Sequence, residues 1–452
     1  MEKKIKISCL IDGEHYLPNI KDSLREISRI YLIKYLIFIG GTEKIGSEEE
    51  IQKTLSYPIF FAHKKGRPDP LKIGGIIHSH PVKMVLDLSD EPVVDYKKRF
   101  AICCEILKNG TIYKGADFEF WPLDFKEIFT KPSLAIWGTG KRIGKTAFGG
   151  FVGRILKERG FKPIILTLSR GGPTTPILVR GDEMIIDANY LLDIQNQGLH
   201  ASSDCFEDAL TARVPTLGCR RCGGGMSGKT MVSLIEKGAR MAEKYKFAGS
   251  IILEGSGASV PEIKTDKVVL LMDITQPKDI LEGYLTPLKV SYADLIVLTM
   301  CEDFLVSQAK INQLIKKIRL INPKAQIATT VLRPFPLQSI KGKKVFWTTT
   351  AQSKSVPFLK KYIEETYGCS IVGMSAYLSN QPKLKKDMAK SPRFDLVITE
   401  LKAAAISVVA REAVKQGKGV VFLDNMITLI PKGGNVKNLK KEVIKLISSN
   451  PK

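Results

Sequence analysis

The sequence predicts an α/β protein: a P-loop NTPase-like core with a largely parallel sheet, plus a smaller N-terminal α/β domain. Three observations carry this. From residue 131 of the 452-residue chain onward, short, nearly continuous apolar runs alternate with helical patterns, as parallel strands covered on both faces require. One such run, 134–137, leads into a glycine-rich loop and then a helix, the setting in which a phosphate-binding pattern is credible. Residues 1–130 carry apolar runs of their own and end at the turn-like Lys131-Pro132-Ser133. The division is therefore an N-terminal α/β domain over 1–130 and a P-loop core over 131–452.

In the N-terminal domain, apolar runs at 5–11, 30–39, 58–62 and 74–78 read as strands, and 92–107 reads as a helix. In the core, strands are expected at 134–137, 163–168, 250–253, 267–272, 295–299, 326–331, 345–348, 396–399 and 419–423. Helical periodicity marks 145–159, 304–319, 356–367, 402–416 and 437–447 between them.

Hydrophobic residues make up 44% and charged residues 25%, a globular balance. Lys and Arg exceed Asp and Glu by 69 − 46 = 23, so the field favours anionic ligands. Nucleic acid, anionic lipid and polyphosphorylated metabolites fit that field alike. The basic runs lie within ordinary helical patterns, and no concentrated basic arm or paired-aromatic RNA signature is visible, so nucleic acid is not the expected partner. The start, Met1-Glu2-Lys3-Lys4-Ile5, is not followed by a continuous apolar segment, and the run at 30–41 is too short to span a bilayer. Eight cysteines in a chain of this length suit a reducing cytoplasm. A homodimer is compatible with the sequence, which does not decide the oligomeric state.

The strongest chemical signal is Gly138-Thr139-Gly140-Lys141-Arg142-Ile143-Gly144-Lys145-Thr146, followed by Ala147. Glycines let backbone N–H groups close around phosphate oxygens, and the following helix adds the positive end of its dipole. Lys145 is expected to reach the β- and γ-phosphates and the Thr146 hydroxyl to bind Mg²⁺. Thr139 stands where the pattern usually has its first glycine. The strand at 251–253 ends in Glu254-Gly255-Ser256-Gly257, placing Glu254 at the sheet edge as a candidate Mg²⁺ partner. Arg170 follows another strand and is expected at the same edge. After the strand at 295–299 comes Met300-Cys301-Glu302-Asp303. The guanine-reading Asn-Lys-x-Asp is absent there, which favours ATP.

Gly223-Gly224-Gly225-Met226-Ser227-Gly228-Lys229-Thr230 also satisfies the P-loop spacing, but Pro215-Thr216-Leu217-Gly218-Cys219-Arg220-Arg221-Cys222 before it does not read as a strand. A second nucleotide site, an anion-binding loop and a structural loop are all open; Arg220, Arg221 and the glycine amides suit a substrate phosphate. His200, in a polar loop upstream, is a candidate substrate contact or a cap. Cys219-x-x-Cys222 has no second pair at metal spacing and reads as reduced thiols rather than zinc ligands. His78-Ser79-His80 reads as a strand end.

With these residues collected, the chain resembles the cyclic 2,3-diphosphoglycerate synthetase family nearly end to end. The resemblance lies in Leu10-Ile11-Asp12-Gly13-Glu14-His15-Tyr16-Leu17-Pro18, Ile39-Gly40-Gly41-Thr42-Glu43-Lys44 and Asp87-Leu88-Ser89-Asp90-Glu91-Pro92. It continues through 139–146, 169–173, 218–226 and 254–258 to Leu378-Ser379-Asn380-Gln381-Pro382 and Glu400-Leu401-Lys402-Ala403-Ala404-Ala405. Gly228-Lys229-Thr230 departs from the family pattern. The P-loop and the Glu254 segment are also similar to dethiobiotin synthetase, whose corresponding Thr and Glu bind Mg²⁺. The resemblance implies an ATP-dependent ligase that converts 2,3-bisphosphoglycerate to its cyclic phosphoanhydride, with release of ADP and phosphate. Lys141, Arg142, Lys145, Arg170, Arg220 and Arg221 would neutralise the converging charge. Another P-loop ligase or kinase acting on a small anionic metabolite is the alternative; a nucleotide switch or metal-insertion chaperone and a nucleic-acid-dependent ATPase are weaker ones.

Overall fold

The computed structural model describes residues 4–41, 43–45, 47–402 and 404–448. Met1, Glu2 and Lys3 of the opening segment, and Thr42 and Ala403 of the family-like segments, lie outside the described residues. The chain forms two compact units, one of residues 1–124 with 277–292 and one of residues 125–276 with 293–452.

The first unit is built on β1 (Lys6–Ile11), α1 (Leu17–Ile30), β2 (Leu32–Phe38), β3 (Ile59–Phe61), α2 (Pro70–Ser79), β4 (Met84–Asp87), α3 (Tyr96–Lys108), β5 (Ile112–Lys114) and β6 (Glu119–Phe120). Its six strands run in the order β3-β2-β1-β4-β5-β6, parallel except for the last pair. The apolar stretch at 74–78, expected as a strand, is the body of α2. Asp69 caps the helix by accepting a hydrogen bond from Lys72 N, and a proline occupies its first turn. Two adjacent glycines had removed the periodicity that marks a helix. His78 and His80 therefore sit at a helix end rather than a strand end.

The second unit contains β7 (Ser133–Gly138), α4 (Lys145–Glu158), β8 (Pro163–Ser169), β9 (Ile177–Arg180), α5 (Asp204–Ala212), β10 (Pro215–Cys222), β11 (Val232–Ser233) and α6 (Ile235–Lys244). There follow β12 (Ser250–Glu254), β13 (Lys267–Asp273), β14 (Leu295–Thr299), α7 (Gln308–Ile321), β15 (Gln326–Pro336), β16 (Lys344–Thr348), α8 (Val356–Tyr367) and β17 (Ser370–Ser375). The chain ends with β18 (Leu396–Glu400), a π-helix at Ala405–Ala410, β19 (Gly419–Leu429) and α9 (Leu439–Ser448). The strands join in the order β9-β10-β8-β12-β7-β13-β14-β15-β19-β18-β16-β17, with β11 attached to β10. The strand β7 is buried throughout. Phe148, Val152 and Leu156 of α4 pack with Leu439, Val443 and Leu446 of α9 in one core cluster. Ile235, Ala239 and Ala242 of α6 pack in another against Leu166, Leu217 and Leu253 of the sheet. That is the two-sided cover that near-continuous apolar strands require.

The first part of β15 pairs in parallel with β14, Leu295 to Leu298 against Gln326 to Thr329. The remainder pairs antiparallel with β19, from Thr330 opposite Leu429 to Pro336 opposite Leu423. The start of β19, in turn, runs parallel to β18, ending with Leu423 opposite Glu400. Two parallel half-sheets thus meet through a two-stranded ribbon, and the C-terminal ends of their strands point at each other across it. The ribbon from Thr330 to Pro336 is about 20 Å long at roughly 3.4 Å per residue.

Candidate functional site

The phosphate loop opens at the end of β7. Gly138 lets the loop fold closely over it: an added Cβ would lie 2.5 Å from Ile143 Cδ1 and 2.9 Å from Lys145 Cδ. Gly144 ends the loop at φ +90°, a left-handed conformation suited to glycine, and α4 begins with Lys145. The loop is tied down by Thr139 N to Leu271 O at 3.1 Å and Thr299 Oγ1 to Ile143 O at 3.1 Å. Arg142, at φ +62°, donates to Ser379 Oγ, from the other half-sheet.

Two cavities adjoin this loop. The smaller, about 230 Å³, is lined by Lys141, Arg142, Ile143, Gly144, Lys145, Thr146, Arg170, His200 and Glu254 among the residues singled out in the sequence. The larger, about 340 Å³, lies toward the ribbon and is walled by Met300, Phe304, Leu305, Leu332 and Leu359, with Glu302, Gln352 and Asn425 as polar groups. Ala147 lines this second cavity. Lys141, Arg142, Gly144, Thr350 and Lys402 line both.

Arg170 crosses over Gly257: a methyl group on that glycine would lie 2.5 Å from Arg170 Nη2. His200 lies against Gly171 in the same way, its Cδ2 2.3 Å from where a Cβ would be. Arg221 donates to Ser256 O at 2.9 Å and Gly223 O at 3.0 Å, and burial followed by the Arg170 charge lowers its affinity for a proton. Arg220, Gly223, Gly224 and Gly225 are exposed and do not line the small cavity. Residues 215–222, which did not read as a strand, form β10. The glycine-rich segment after it connects antiparallel β10 and β11 rather than opening a helix. Gly225 N bonds to Lys229 O at 2.7 Å, and Lys229 Nζ pairs with Glu262 at 3.5 Å. The strand–loop–helix geometry of a second nucleotide site is therefore missing, whatever the textual match. Cys219 is buried and Cys222 exposed, and both are free thiols.

The sequence reading missed an acidic helix face whose Asp204 and Glu207 line the small cavity, with Asp208 buried behind them. Asp204, Glu207 and Asp208 lie on α5 at spacings of three and four residues, a pattern that places carboxyls on one helical face. That spacing was the available signal. Burial raises Glu207 to about 8 and Glu254 to about 7, and raises Asp208 well above the ordinary carboxyl range, with Glu254 adding to the last shift. Asp208 is thus the member of the Asp208–Glu254 pair that keeps a proton. Burial lowers Lys145 to about 8, against the pull of Glu254 and Asp204. Lys145 Nζ donates to Gly140 O at 2.8 Å. Lys402, also missed, follows β18 and lies 3.3 Å from Glu207.

The donor set suits a hard cation. Glu254 also interacts with the Thr146 hydroxyl. Glu254 Oε2 and both oxygens of Asp208 are buried with no hydrogen-bond partner among the described residues, apart from the proton the two carboxyls share. Oxygen ligands in small number are what Mg²⁺ takes when phosphates and water complete its shell. Among the described residues there is no cluster of three or more His, Cys, Asp or Glu arranged to hold a metal without such help. No helix among them is long and apolar enough to cross a membrane.

Comparison with known proteins covers the whole architecture. Residues 6–121 match the N-terminal domain model of cyclic 2,3-diphosphoglycerate synthetase, residues 133–331 its P-loop domain and residues 336–426 its C-terminal domain. The cyclic 2,3-diphosphoglycerate synthetase of Methanothermus fervidus is 42% identical, with 98% of this chain and 97% of the relative covered. That of Thermococcus sibiricus is 43% identical over 97% of each chain. That of Rubrobacter xylanophilus is 38% identical over 92% of each.

Proposed function

Because the chain belongs to the cyclic 2,3-diphosphoglycerate synthetase family, we propose that it closes 2,3-bisphosphoglycerate into its cyclic phosphoanhydride while one ATP becomes ADP and phosphate. The observation that carries this reading is the junction of two cavities over one phosphate loop, with Lys141, Arg142, Lys145, Arg170 and Lys402 converging there. The triphosphate tail lies along Thr139, Gly140, Lys141, Ile143, Gly144, Lys145 and Thr146. The nucleoside enters the larger cavity past Ala147, between apolar walls that suit a base. The substrate occupies the smaller one, facing Arg170 and His200. Arg221 donates to Ser256 O, which lines this cavity, while Arg220, Gly223, Gly224 and Gly225 lie outside it. Thr146 and Glu254 would hold Mg²⁺, with Asp208 behind. When bound, the ion supplies positive charge between the terminal phosphates.

A substrate phosphate oxygen attacks the γ-phosphorus, and ADP departs with the bridging oxygen. An oxygen of the neighbouring phosphate then attacks the inner phosphorus of the new anhydride. Orthophosphate leaves, and the P–O–P ring closes. Both steps push like charges together, so the chain contributes chiefly positioned cations and amides. The second step is intramolecular and gains from proximity. Lys141, Arg142, Lys145 and Arg170 are the residues assigned to that neutralisation.

The net charge of +23 suits capture of two polyanions. Free cysteines support a cytoplasmic location. Exposed Met226, Met231 and Val232 offer apolar surface of the kind that a second subunit covers, in keeping with a homodimer. The match along all three domain models leaves another ligase or kinase of this class without support of its own.

Phosphorus NMR with MgATP and oxygen-18-labelled bisphosphoglycerate tests the reaction. A cyclic pyrophosphate signal is expected, together with orthophosphate carrying one substrate oxygen. ADP formed without cyclic product, or orthophosphate carrying a solvent oxygen instead, would overturn it.

A further inference from the structure

Among the described residues, Lys402 is the ammonium that reaches the cavity junction from the second half-sheet. It follows β18, whose C-terminal end faces the P-loop half-sheet across the ribbon, so it approaches from the side opposite β7 and β8. Its side chain is 26% exposed, with Glu207 Oε1 3.3 Å away, and it borders both cavities. Lys402 has open space on both sides, and an ammonium has three donors, of which Glu207 takes one.

The surroundings point the same way. Asp204, at the first position of α5, lines the smaller cavity together with Lys402, and burial raises its carboxyl above the ordinary range against the charges of Lys145, Lys402, Arg170 and Lys141. Glu400, two residues before Lys402, accepts from Thr349 Oγ1 at 2.6 Å and Thr350 Oγ1 at 2.8 Å, which fixes the segment from which Lys402 projects. Lys145 and the loop amides serve the nucleotide side and Arg170 the substrate side. Lys402 lines the smaller cavity together with both Lys145 and Arg170.

We propose that Lys402 is a phosphate-contacting catalytic residue. Its ammonium, beside Glu207, bridges the terminal phosphate of the nucleotide on the phosphate loop and the attacking phosphate of the substrate beside Arg170. This rests on the function proposed above. Lys402 remains protonated throughout and forms no covalent bond; it contributes charge between two groups that repel each other. Since its contact is with the terminal phosphate, ADP binding does not depend on it.

The test uses the full chain with K402M, K402R and the double variant E207Q/K402M, each checked for folding by circular dichroism. Turnover is read by phosphorus NMR with bisphosphoglycerate. Affinities for MgADP and for a non-hydrolysable MgATP analogue are read by calorimetry. K402M is expected to lose roughly 100-fold in kcat, to bind the ATP analogue about tenfold more weakly, and to keep ADP affinity within about twofold. K402R should recover part of the turnover, because it restores the charge. If K402M does not fold, the double variant, which removes both charges of the pair together, carries the same comparison. Turnover within about threefold of wild type in a folded variant, or equal losses for ADP and the ATP analogue, overturns the assignment. Wild-type enzyme run alongside separates the two claims. Absence of cyclic product there removes the functional reading, and the difference between ADP and analogue affinities still decides the contact.

Discussion

Replacing Lys145 with Met keeps the side-chain length and deletes the charge. Lys145 is 7% exposed, and burial holds its folded-state value near 8 instead of 10.5. At roughly 1.4 kcal/mol per tenfold change in proton affinity, keeping it charged at pH 7 costs on the order of 3 kcal/mol in the ligand-free fold. Met also loses the 2.8 Å bond to Gly140 O, worth about 1 kcal/mol. Ligand-free K145M should therefore be more stable than wild type by about 2 kcal/mol at pH 7, while turnover is abolished. The folded value lies below the unfolded one, so the unfolded chain binds the extra proton between about pH 8 and 10.5. Wild type gains stability as pH rises through that window and K145M does not. The gap should shrink to near zero by about pH 9.5. Urea midpoints followed by circular dichroism at pH 7 and 9.5 measure it. A variant less stable than wild type at pH 7, or a gap that ignores pH, would mean that Asp204 and Glu254 outweigh desolvation.

Two further outcomes follow from the loops around the site. In Gly172→Ala the new Cβ would lie 2.4 Å from Cys219 O and 2.7 Å from Arg220 Cα, both backbone atoms of β10. The loop carrying Arg170 must move, so a loss of about 1–3 kcal/mol is expected, with KM for bisphosphoglycerate rising at least about tenfold; unchanged melting and KM would refute the close packing. In Lys229→Ala a half-exposed pair with Glu262 is lost, and stability should change by less than about 1 kcal/mol. Calorimetry should still give the nucleotide stoichiometry of wild type, whereas loss of one bound nucleotide per chain would restore the second P-loop reading.

The phosphate loop was legible because its chemistry is local: strand, glycines, lysine and helix are contiguous. The acidic face of α5 was legible in principle, since Asp204, Glu207 and Asp208 keep helical spacing, but nothing local says that this face meets Glu254. The strand β10 was hidden by its proline, glycine and two arginines, and the helix α2 by its paired glycines. The ribbon was hidden most completely. Arg333-Pro334-Phe335-Pro336 reads as a strand break, because proline cannot donate to a central ladder. Here both prolines lie beyond the parallel half-sheet, where β15 has a single partner that need not be satisfied at every position. With the ribbon unseen, there was no way to know that Lys402, more than 250 residues from the phosphate loop in sequence, returns to it.

That ribbon also behaves as a ruler. The gap between the two sets of strand ends is set by a hydrogen-bonded ladder rather than by a slack tether, so its width is written in residue count. Side chains alternate sides along a strand, and Leu332 and Pro334 of β15 and Leu423 and Asn425 of β19 turn the same face to the larger cavity. A single-residue insertion would turn that lining outward. Lengthening or shortening the site is therefore open to this architecture only in steps of two, made in both strands at once.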